Sequence, residues 1–155
     1  MSEVKEFLEK LKRARNFREV IEELEKEGKV YRPEGLAHKV VKLRKEKERE
    51  RKEVGMKTSQ LRKLFAEVIC IEREARKAEK AKGEGWRNRL EMLQPLLTYS
   101  FSRGLINKEI YEFFRDMLNP KLYKTPEDVK KMADFFRAIV AYAKFEEKIK
   151  AGGAE

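Results

Sequence analysis

The stretch that decides the fold is KTSQLRKLF, residues 57–65. Its apolar residues are spaced three and four apart, and Thr58 or Ser59 can cap a helix that begins there. The first turn is polar and basic, with three side chains expected near the helix N-terminus: Gln60, Arg62 and Lys63. Backbone N–H groups and the helix dipole favour an anion at such an end, and phosphate is the natural candidate. Taken alone, the segment is better explained as an ordinary capped surface helix.

The same helical spacing extends in both directions from this stretch. Apolar residues recur at three- and four-residue steps in six regions: 4–24, 33–43, 58–75, 86–101, 107–118 and 126–145. Asn16 could divide the first region into two helices, and Pro95 should kink the fourth or mark a restart. The sequence therefore predicts an all-α protein, a compact bundle of five to six helices.

Two segments lack the apolar residues that would hold them in a core. The second helix is expected to run from about Pro33 to Lys52, but its apolar positions stop at Leu43. Residues 44–53, RKEKERERKE, contain no apolar side chain, which is typical of a solvated helix end or a mobile connection. Residues 151–155, AGGAE, are expected to form a disordered tail.

Charge is distributed unevenly along the chain. The 155 residues are 43% charged and have a formal net charge of +10. Residues 1–35 hold nine Lys/Arg and nine Glu, so the whole positive excess lies after residue 35. Such an excess favours a polyanionic partner, with nucleic acid as the first candidate and a membrane surface as the second. No apolar run approaches the ~18 residues that a spanning helix needs, and the charged N-terminus is not a signal peptide.

The residue types present argue against catalysis. His38 is the only histidine and Cys70 the only cysteine, so no His-rich or Cys-rich metal site and no internal disulfide can form. A reducing cytoplasm is the simple inference. A Cys70–His38 dyad is formally possible, but Cys70 lies between two isoleucines and is expected to be an inert buried thiol. His38 is expected at the surface. We predict that the protein is not an enzyme and needs no cofactor.

Basic residues recur on several of the predicted helices. Beyond those of residues 57–65, the charge pattern selects Lys39, Lys42, Arg73 and Arg76. Helices packed side by side could align these residues into one surface that contacts a nucleic-acid backbone without reading bases. The alternative is scattered solubilising charges. Most aromatic residues recur at helical spacing and are expected in the core, so two loop tyrosines are the better candidates for stacking on bases: Tyr31 and Tyr123.

Two segments resemble a known family. KTSQLRKLF at residues 57–65 (the first motif) resembles the T-S-Q-L/I-R-K-F/L segment of the small helical subunit of type III-A CRISPR (Csm) effector complexes. LQPLLTYSFSR at residues 93–103 (the second motif) is similar to that family's L-x-P-x-L-x-Y-x-x-x-R stretch. The resemblance covers residues 36–145. It implies a helical-bundle domain at 36–150, preceded by an N-terminal helical extension at 1–35 to which nothing is transferred.

The resemblance implies a non-catalytic RNA-binding subunit in antiviral defence. Its copies would stack along the interior of a helical ribonucleoprotein, where they help to hold the duplex of guide RNA and target RNA. The implied partners are these two RNAs, the backbone and large subunits, and other copies of itself, with no membrane involved. Six matching positions are implied to contact RNA: Lys57, Ser59, Gln60, Arg62, Lys63 and Arg103. Arg62 and Arg103 come first because a guanidinium can bridge two phosphate oxygens.

A second function fits the same sequence. The chain could be a purely architectural helical module that contacts protein only, with its basic residues paired to acidic surfaces of neighbouring subunits. The two hypotheses differ in whether the isolated chain binds RNA at low salt, where phosphate contacts are strongest.

Overall fold

The computed structural model describes residues 2–42, 56–81 and 84–153, and these residues form an all-α bundle. Its seven α-helices are α1 (Glu3–Arg13), α2 (Phe17–Lys26), α3 (Thr58–Ala81), α4 (Gly85–Glu91), α5 (Leu93–Ser102), α6 (Lys108–Met117) and α7 (Pro126–Gly153). Residues 36–42 form a further helical segment, and Pro120–Leu122 form one turn of 3-10 helix. The all-α prediction is confirmed. No strand occurs in the described ranges, where one isolated bridge pairs Met56 with Ile106.

The predicted count of five to six helices is wrong, because two of the expected helices are each divided. In the first region, α1 ends at Arg13 and Asn16 caps the start of α2. The side-chain oxygen of Asn16 accepts the N–H of Glu19 at 2.9 Å. Pro95 has no N–H to donate to the carbonyl of Glu91 four residues earlier. The chain therefore breaks at Met92 and restarts as α5, where Pro95 occupies a first-turn position that needs no intrahelical donor.

The centre of the bundle is the contact between α3 and α7. Phe65 stacks on Phe136 with ring centroids 5.8 Å apart, and Glu72, further along α3, is bonded by Arg137. Arg76 then lies beside the start of α7, at Pro126 and Glu127. The two helices therefore run antiparallel, and most of their facing side chains are buried.

The N-terminal helices enter the same core. The Phe7 ring on α1 lies 5.6 Å from the Phe135 ring and 6.4 Å from the Phe113 ring, measured between centroids. Phe17 on α2 stacks on Tyr123 at 5.5 Å. All of these side chains are buried. The predicted extension at residues 1–35 is thus packed against the helices of the predicted 36–150 domain.

Three expectations concern the ends of segments. The second helix begins at residue 36, three residues after Pro33, because Glu34 has a φ of 67° that no helix accommodates. Its expected continuation and the charged run 44–53 lie outside the described residues. Helix α7 continues to Gly153, past residue 151 where a disordered tail was expected to begin, and residues 154–155 are not described. Within the described ranges, no helix has the length and apolar content needed to cross a membrane.

Candidate nucleic-acid interface

The two motifs meet at one groove. Its volume is about 460 Å³, and it runs between the first half of α3 and helix α5. The first motif contributes Gln60, Lys63 and Leu64, and the second contributes Leu96, Leu97 and Ser100. The bridged pair Met56 and Ile106 also lines the groove. Segments about 30 residues apart in sequence are therefore brought together in the fold.

The first motif begins α3, with a small shift from the expected start. The carbonyl of Lys57 accepts the N–H groups of Gln60 at 3.0 Å and Leu61 at 3.1 Å. Lys57 therefore precedes the first helical residue, Thr58, so the capping position lies one residue before the predicted pair. Lys57, Ser59, Arg62 and Lys63 are exposed, and Gln60 is half-buried.

One side of α3 carries cations without carboxylate partners. Arg62 and Arg73 are eleven residues apart, which is close to three helical turns, so they lie on the same face about 16 Å apart. Lys63 and Lys77 flank this face. All four side chains are exposed, and none forms an ion pair within the described part of the chain. The face can therefore offer several positive charges to one polyanion.

Three described carboxylates of α3 are paired with arginines of other helices. Arg89 on α4 lies 2.6 Å from Glu74 and 3.6 Å from Glu67, and the hydrogen bond that it donates to Glu74 raises the pKa of its guanidinium. Arg137 on α7 lies 2.5 Å from buried Glu72, which likewise raises the pKa of Arg137. In the described part of the chain, none of these acids lies within ion-pair distance of the exposed α3 cations Arg62, Lys63, Arg73 and Lys77.

The predicted RNA-contacting cations fall into two groups. Five are exposed without an ion pair to any described residue: Lys57, Arg62, Lys63, Arg73 and Arg103. Three are held by carboxylates, with Lys39 2.8 Å from Glu3, Lys42 2.5 Å from Glu34 and Arg76 3.8 Å from Glu72. The four motif cations are all in the first group. The charge pattern alone could not separate the groups, because the partners of Lys39 and Lys42 are set by the fold.

The second motif places Arg103 at the C-terminal end of α5. Gln94 donates to the carbonyls of Arg115 and Leu118 at 3.2 Å each, which fixes the start of α5 against the end of α6. Gly104, with a φ of 74°, turns the chain immediately after Arg103. The Arg103 guanidinium carbon lies 5.6 Å from the centroid of the Tyr99 ring.

An exposed apolar stripe precedes Arg103 on the same face of α5. Met92, Leu96 and Tyr99 are 58%, 47% and 60% exposed, and their spacing of four and three residues aligns them with Arg103. Helical spacing over residues 86–101 does not by itself separate this stripe from the apolar residues that are buried. The sequence does contain a signal for the stripe. Apolar residues at 92, 93, 96, 97 and 99 are too many for all of them to face the core from one short helix.

The two loop tyrosines expected to stack on bases do not both remain available. The prediction for Tyr123 is wrong, because its ring is completely buried and its hydroxyl donates to the carbonyl of Met117 at 2.6 Å. Tyr31 is 38% exposed, and its hydroxyl donates to Glu25 at 2.6 Å, beside a negative charge. Lys131 also contacts this carboxylate, at 2.8 Å, and stacking of Tyr31 on a base stays a prediction.

His38 is buried and Cys70 is half-buried. The expectation that His38 lies at the surface is wrong, since it is only 4% exposed and stacks on Tyr142 at 4.4 Å. Its Nδ1 accepts the N–H of Glu34 at 3.0 Å, so Nε2 bears the hydrogen and donates to Glu146 at 2.6 Å. Cys70 is half-buried on α3 rather than fully buried. Among the described residues, no group of three potential metal ligands is placed to hold an ion.

Comparison with known proteins gives one match. A family model described as Csm2 Type III-A matches residues 34–148. The match includes both motifs and all ten predicted RNA-contacting residues, and it begins after α2. No curated protein and no solved structure matches the chain.

Proposed function

The chain belongs to the Csm2 family of type III-A CRISPR complexes, and from this premise we propose that it binds the duplex of guide RNA and target RNA. It does so as a non-catalytic subunit in the cytoplasm, through contacts to phosphates and sugars that do not depend on sequence. Its copies stack along the complex interior beside the backbone and large subunits. Base pairing between the two RNAs supplies the sequence recognition.

The observation that supports this proposal is the set of five predicted cations that are exposed and form no ion pair with a described residue: Lys57, Arg62, Lys63, Arg73 and Arg103. An A-form duplex offers phosphates and 2′-hydroxyls along its surface, while its deep major groove hides the base edges from side chains. A row of cations is therefore sufficient to bind it. Within this set, Arg62, Arg73 and Arg103 have the planar guanidinium that bridges phosphate oxygens.

The three paired cations are expected to contribute less. To contact a phosphate, Lys39 would have to leave Glu3, and Lys42 would have to leave Glu34. Each exchange replaces one ion pair with another, so the gain in affinity is smaller than for an unpaired side chain. The RNA contacts of all ten predicted residues stay predictions.

The first prediction tests the site with matched charge deletions. Arg62→Ala and Arg103→Ala should each weaken binding to a blunt RNA duplex about five-fold at ~50 mM salt, because each removes one phosphate contact. Each should also lower the slope of log affinity against log salt by about one. Fluorescence anisotropy of a labelled 20-base-pair duplex, from ~50 to 300 mM salt, measures both quantities.

Lys42→Ala is the matched control, since it removes one positive charge that is already paired. Its effect should stay below two-fold. If the Arg62→Ala, Arg103→Ala double variant binds like the parent, the site assignment is wrong. If the parent binds no RNA at ~50 mM salt but still joins the complex, the architectural alternative is correct.

A further inference from the structure

The most exposed large apolar side chain of the described residues is Tyr99, at 60%. We propose that its ring stacks on an unpaired RNA nucleobase while the neighbouring Arg103 guanidinium contacts the adjoining phosphate. This inference deepens the proposed function, on which it rests: the chain would bind a nucleotide outside the duplex as well as the duplex backbone. Contacts to phosphates alone do not explain why an aromatic ring is exposed at this position.

Tyr99 differs from the other exposed aromatic side chains in its surroundings. Phe101 is stacked on Tyr111 at 4.8 Å, so one of its faces is covered. Tyr31 is bonded to a carboxylate, and Phe145 lies against His38 at 6.2 Å. The Tyr99 ring forms no pair with another ring in the described part of the chain. It is the exposed aromatic side chain whose neighbour is an unpaired cation.

Tyr99 stays accessible to a base although Arg103 lies beside it, since the side chain is 60% exposed. The Arg103 guanidinium carbon lies over the ring, 5.6 Å from its centroid, which is within the range of a cation–π contact. The guanidinium places a positive charge beside the ring face, where a nucleotide that stacks on Tyr99 would bring its phosphate. Aromatic and arginine side chains commonly bind unpaired bases together in this way.

The nucleobase has to be unpaired for a geometric reason. Inside a duplex, both faces of every base are covered by its stacked neighbours, so a protein ring can reach only a base that is single-stranded, bulged or terminal. The cations of α3 require no such opening. Tyr99 should therefore favour RNA with unpaired nucleotides, whereas Arg62 and Arg73 should contribute to paired and unpaired RNA alike.

A protein partner is the competing occupant of this surface. Met92 and Leu96 continue the apolar stripe away from Arg103, and exposed apolar stripes often bind protein. We favour RNA at the Tyr99 end because Lys63 and Gln60 line the adjacent groove, Glu67 in that groove lies 3.6 Å from Arg89, and the exposed Arg103 adds a positive charge beside the ring. The local charge is thus positive where the aromatic ring is exposed.

Three substitutions at Tyr99 separate stacking from hydrophobic contact. Phe keeps the aromatic plane, Leu keeps apolar area without the plane, and Ala removes both. The probe is a 12-nucleotide single-stranded RNA with one central 2-aminopurine, compared with its blunt duplex. The ratio of single-stranded to duplex affinity should fall about ten-fold in Tyr99→Leu and Tyr99→Ala and less than two-fold in Tyr99→Phe. Quenching of 2-aminopurine on binding should be lost with Leu and Ala only.

The outcomes also distinguish this inference from the proposed function. If Tyr99→Leu keeps the parental ratio and quenching while Arg62→Ala weakens binding, stacking is overturned and RNA binding stands. If RNA binding is unchanged but Tyr99→Leu no longer co-purifies with the other Csm subunits, the surface binds protein and the inference is wrong. If the parent binds neither RNA at ~50 mM salt, both proposals fail. Because Tyr99 is exposed, unchanged thermal melting is expected of all three variants and checks folding.

Discussion

At the scale of single residues, partners decide which of many similar side chains can act. Arg62 and Arg76 both lie on α3 and both are exposed, but only Arg76 is within ion-pair distance of a described carboxylate. The same holds for tyrosines, since Tyr123 is enclosed by Phe17 and bonded to Met117 whereas Tyr99 is open. Function is expected at the unpaired member of each comparison.

The second prediction concerns the buried hydroxyl of Tyr123. Tyr123→Phe should lower the free energy of unfolding by about 1–2 kcal/mol at neutral pH, because the carbonyl of Met117 loses its donor in a buried place. Urea unfolding followed by far-ultraviolet circular dichroism measures this difference. A difference below the error of the measurement would contradict the role given to the hydrogen bond.

The same variant has an alkaline signature. Burial, with a smaller contribution from the charge of Asp128, raises the pKa of Tyr123 well above its ordinary value. The unfolded chain ionises this phenol near pH 10, so the parent loses stability as pH rises through that value, and the Phe variant lacks this loss. The difference in stability between the two proteins should therefore narrow from about pH 9 to pH 11.

Some residue-scale features could be read from the sequence and others could not. The exposure of Arg62 and Lys63 follows from helical periodicity, which is a local property. The burial of Tyr123 and His38 does not, because the groups that enclose them are distant in sequence, Phe17 for one and Tyr142 with Glu146 for the other. Polar-tipped rings are easily assigned to the surface when such distant contacts are unknown.

At the scale of elements, α5 brings the second motif to the groove and depends on how it ends. Gly104 has a φ of 74° and no atom within 4 Å of an added Cβ. The turn therefore requires glycine for its backbone angle and not for space. Its conformation releases the chain from α5 directly after Arg103, which leaves that side chain beside Tyr99.

The third prediction compares two glycines. Gly104→Ala should cost about 1 kcal/mol, or roughly 2–4 °C of melting temperature, because alanine is strained at positive φ. Gly85→Ala is the matched control: Gly85 begins α4, a Cβ there meets nothing within 4 Å, and alanine favours the helix. Its melting temperature should stay equal or rise. Equal losses in both variants would show that the strain at residue 104 is not the cause.

The boundaries of the helices show which structural features a sequence pattern can predict and which it cannot. Helices α6 and α7 start at the beginning of the expected regions 107–118 and 126–145, since the Asn107 cap and Pro126 act on neighbouring residues. The break at Met92 could be anticipated only as a kink or a restart, because Pro95 removes one donor and leaves the outcome to the packing of α5 against α6. The groove between the two motifs could not be predicted from the sequence, because residues about 30 positions apart form it.

At the scale of the whole molecule, the first two helices complete a core that the family match does not include. Six of their side chains are buried: Val4, Phe7, Leu11, Phe17, Val20 and Ile21. At ~1.5–3 kcal/mol each, their burial contributes on the order of 10 kcal/mol, which is comparable to the net stability of a typical domain. We therefore expect that the matched residues 34–148 do not fold independently of α1 and α2.

The fourth prediction follows from this comparison. A fragment of residues 34–155 should lack a cooperative thermal transition, because Phe113, Phe135 and Tyr123 would lose the rings that cover them. Differential scanning calorimetry and near-ultraviolet circular dichroism measure the transition and the aromatic packing. Phe7→Ala in the full chain is a graded step and should cost about 3–5 kcal/mol. A fragment that melts like the full chain would show that α1 and α2 are dispensable.

Cys70 gives this molecule a practical property. The thiol is the only one in the sequence, it is half-buried, and it lies seven residues from both Lys63 and Lys77, about 10 Å from each along α3. A paramagnetic tag attached there would sit among the free cations without any engineered cysteine. Electron-spin distances from that tag to a second tag on a nucleic-acid strand would give the direction in which the strand crosses the helix.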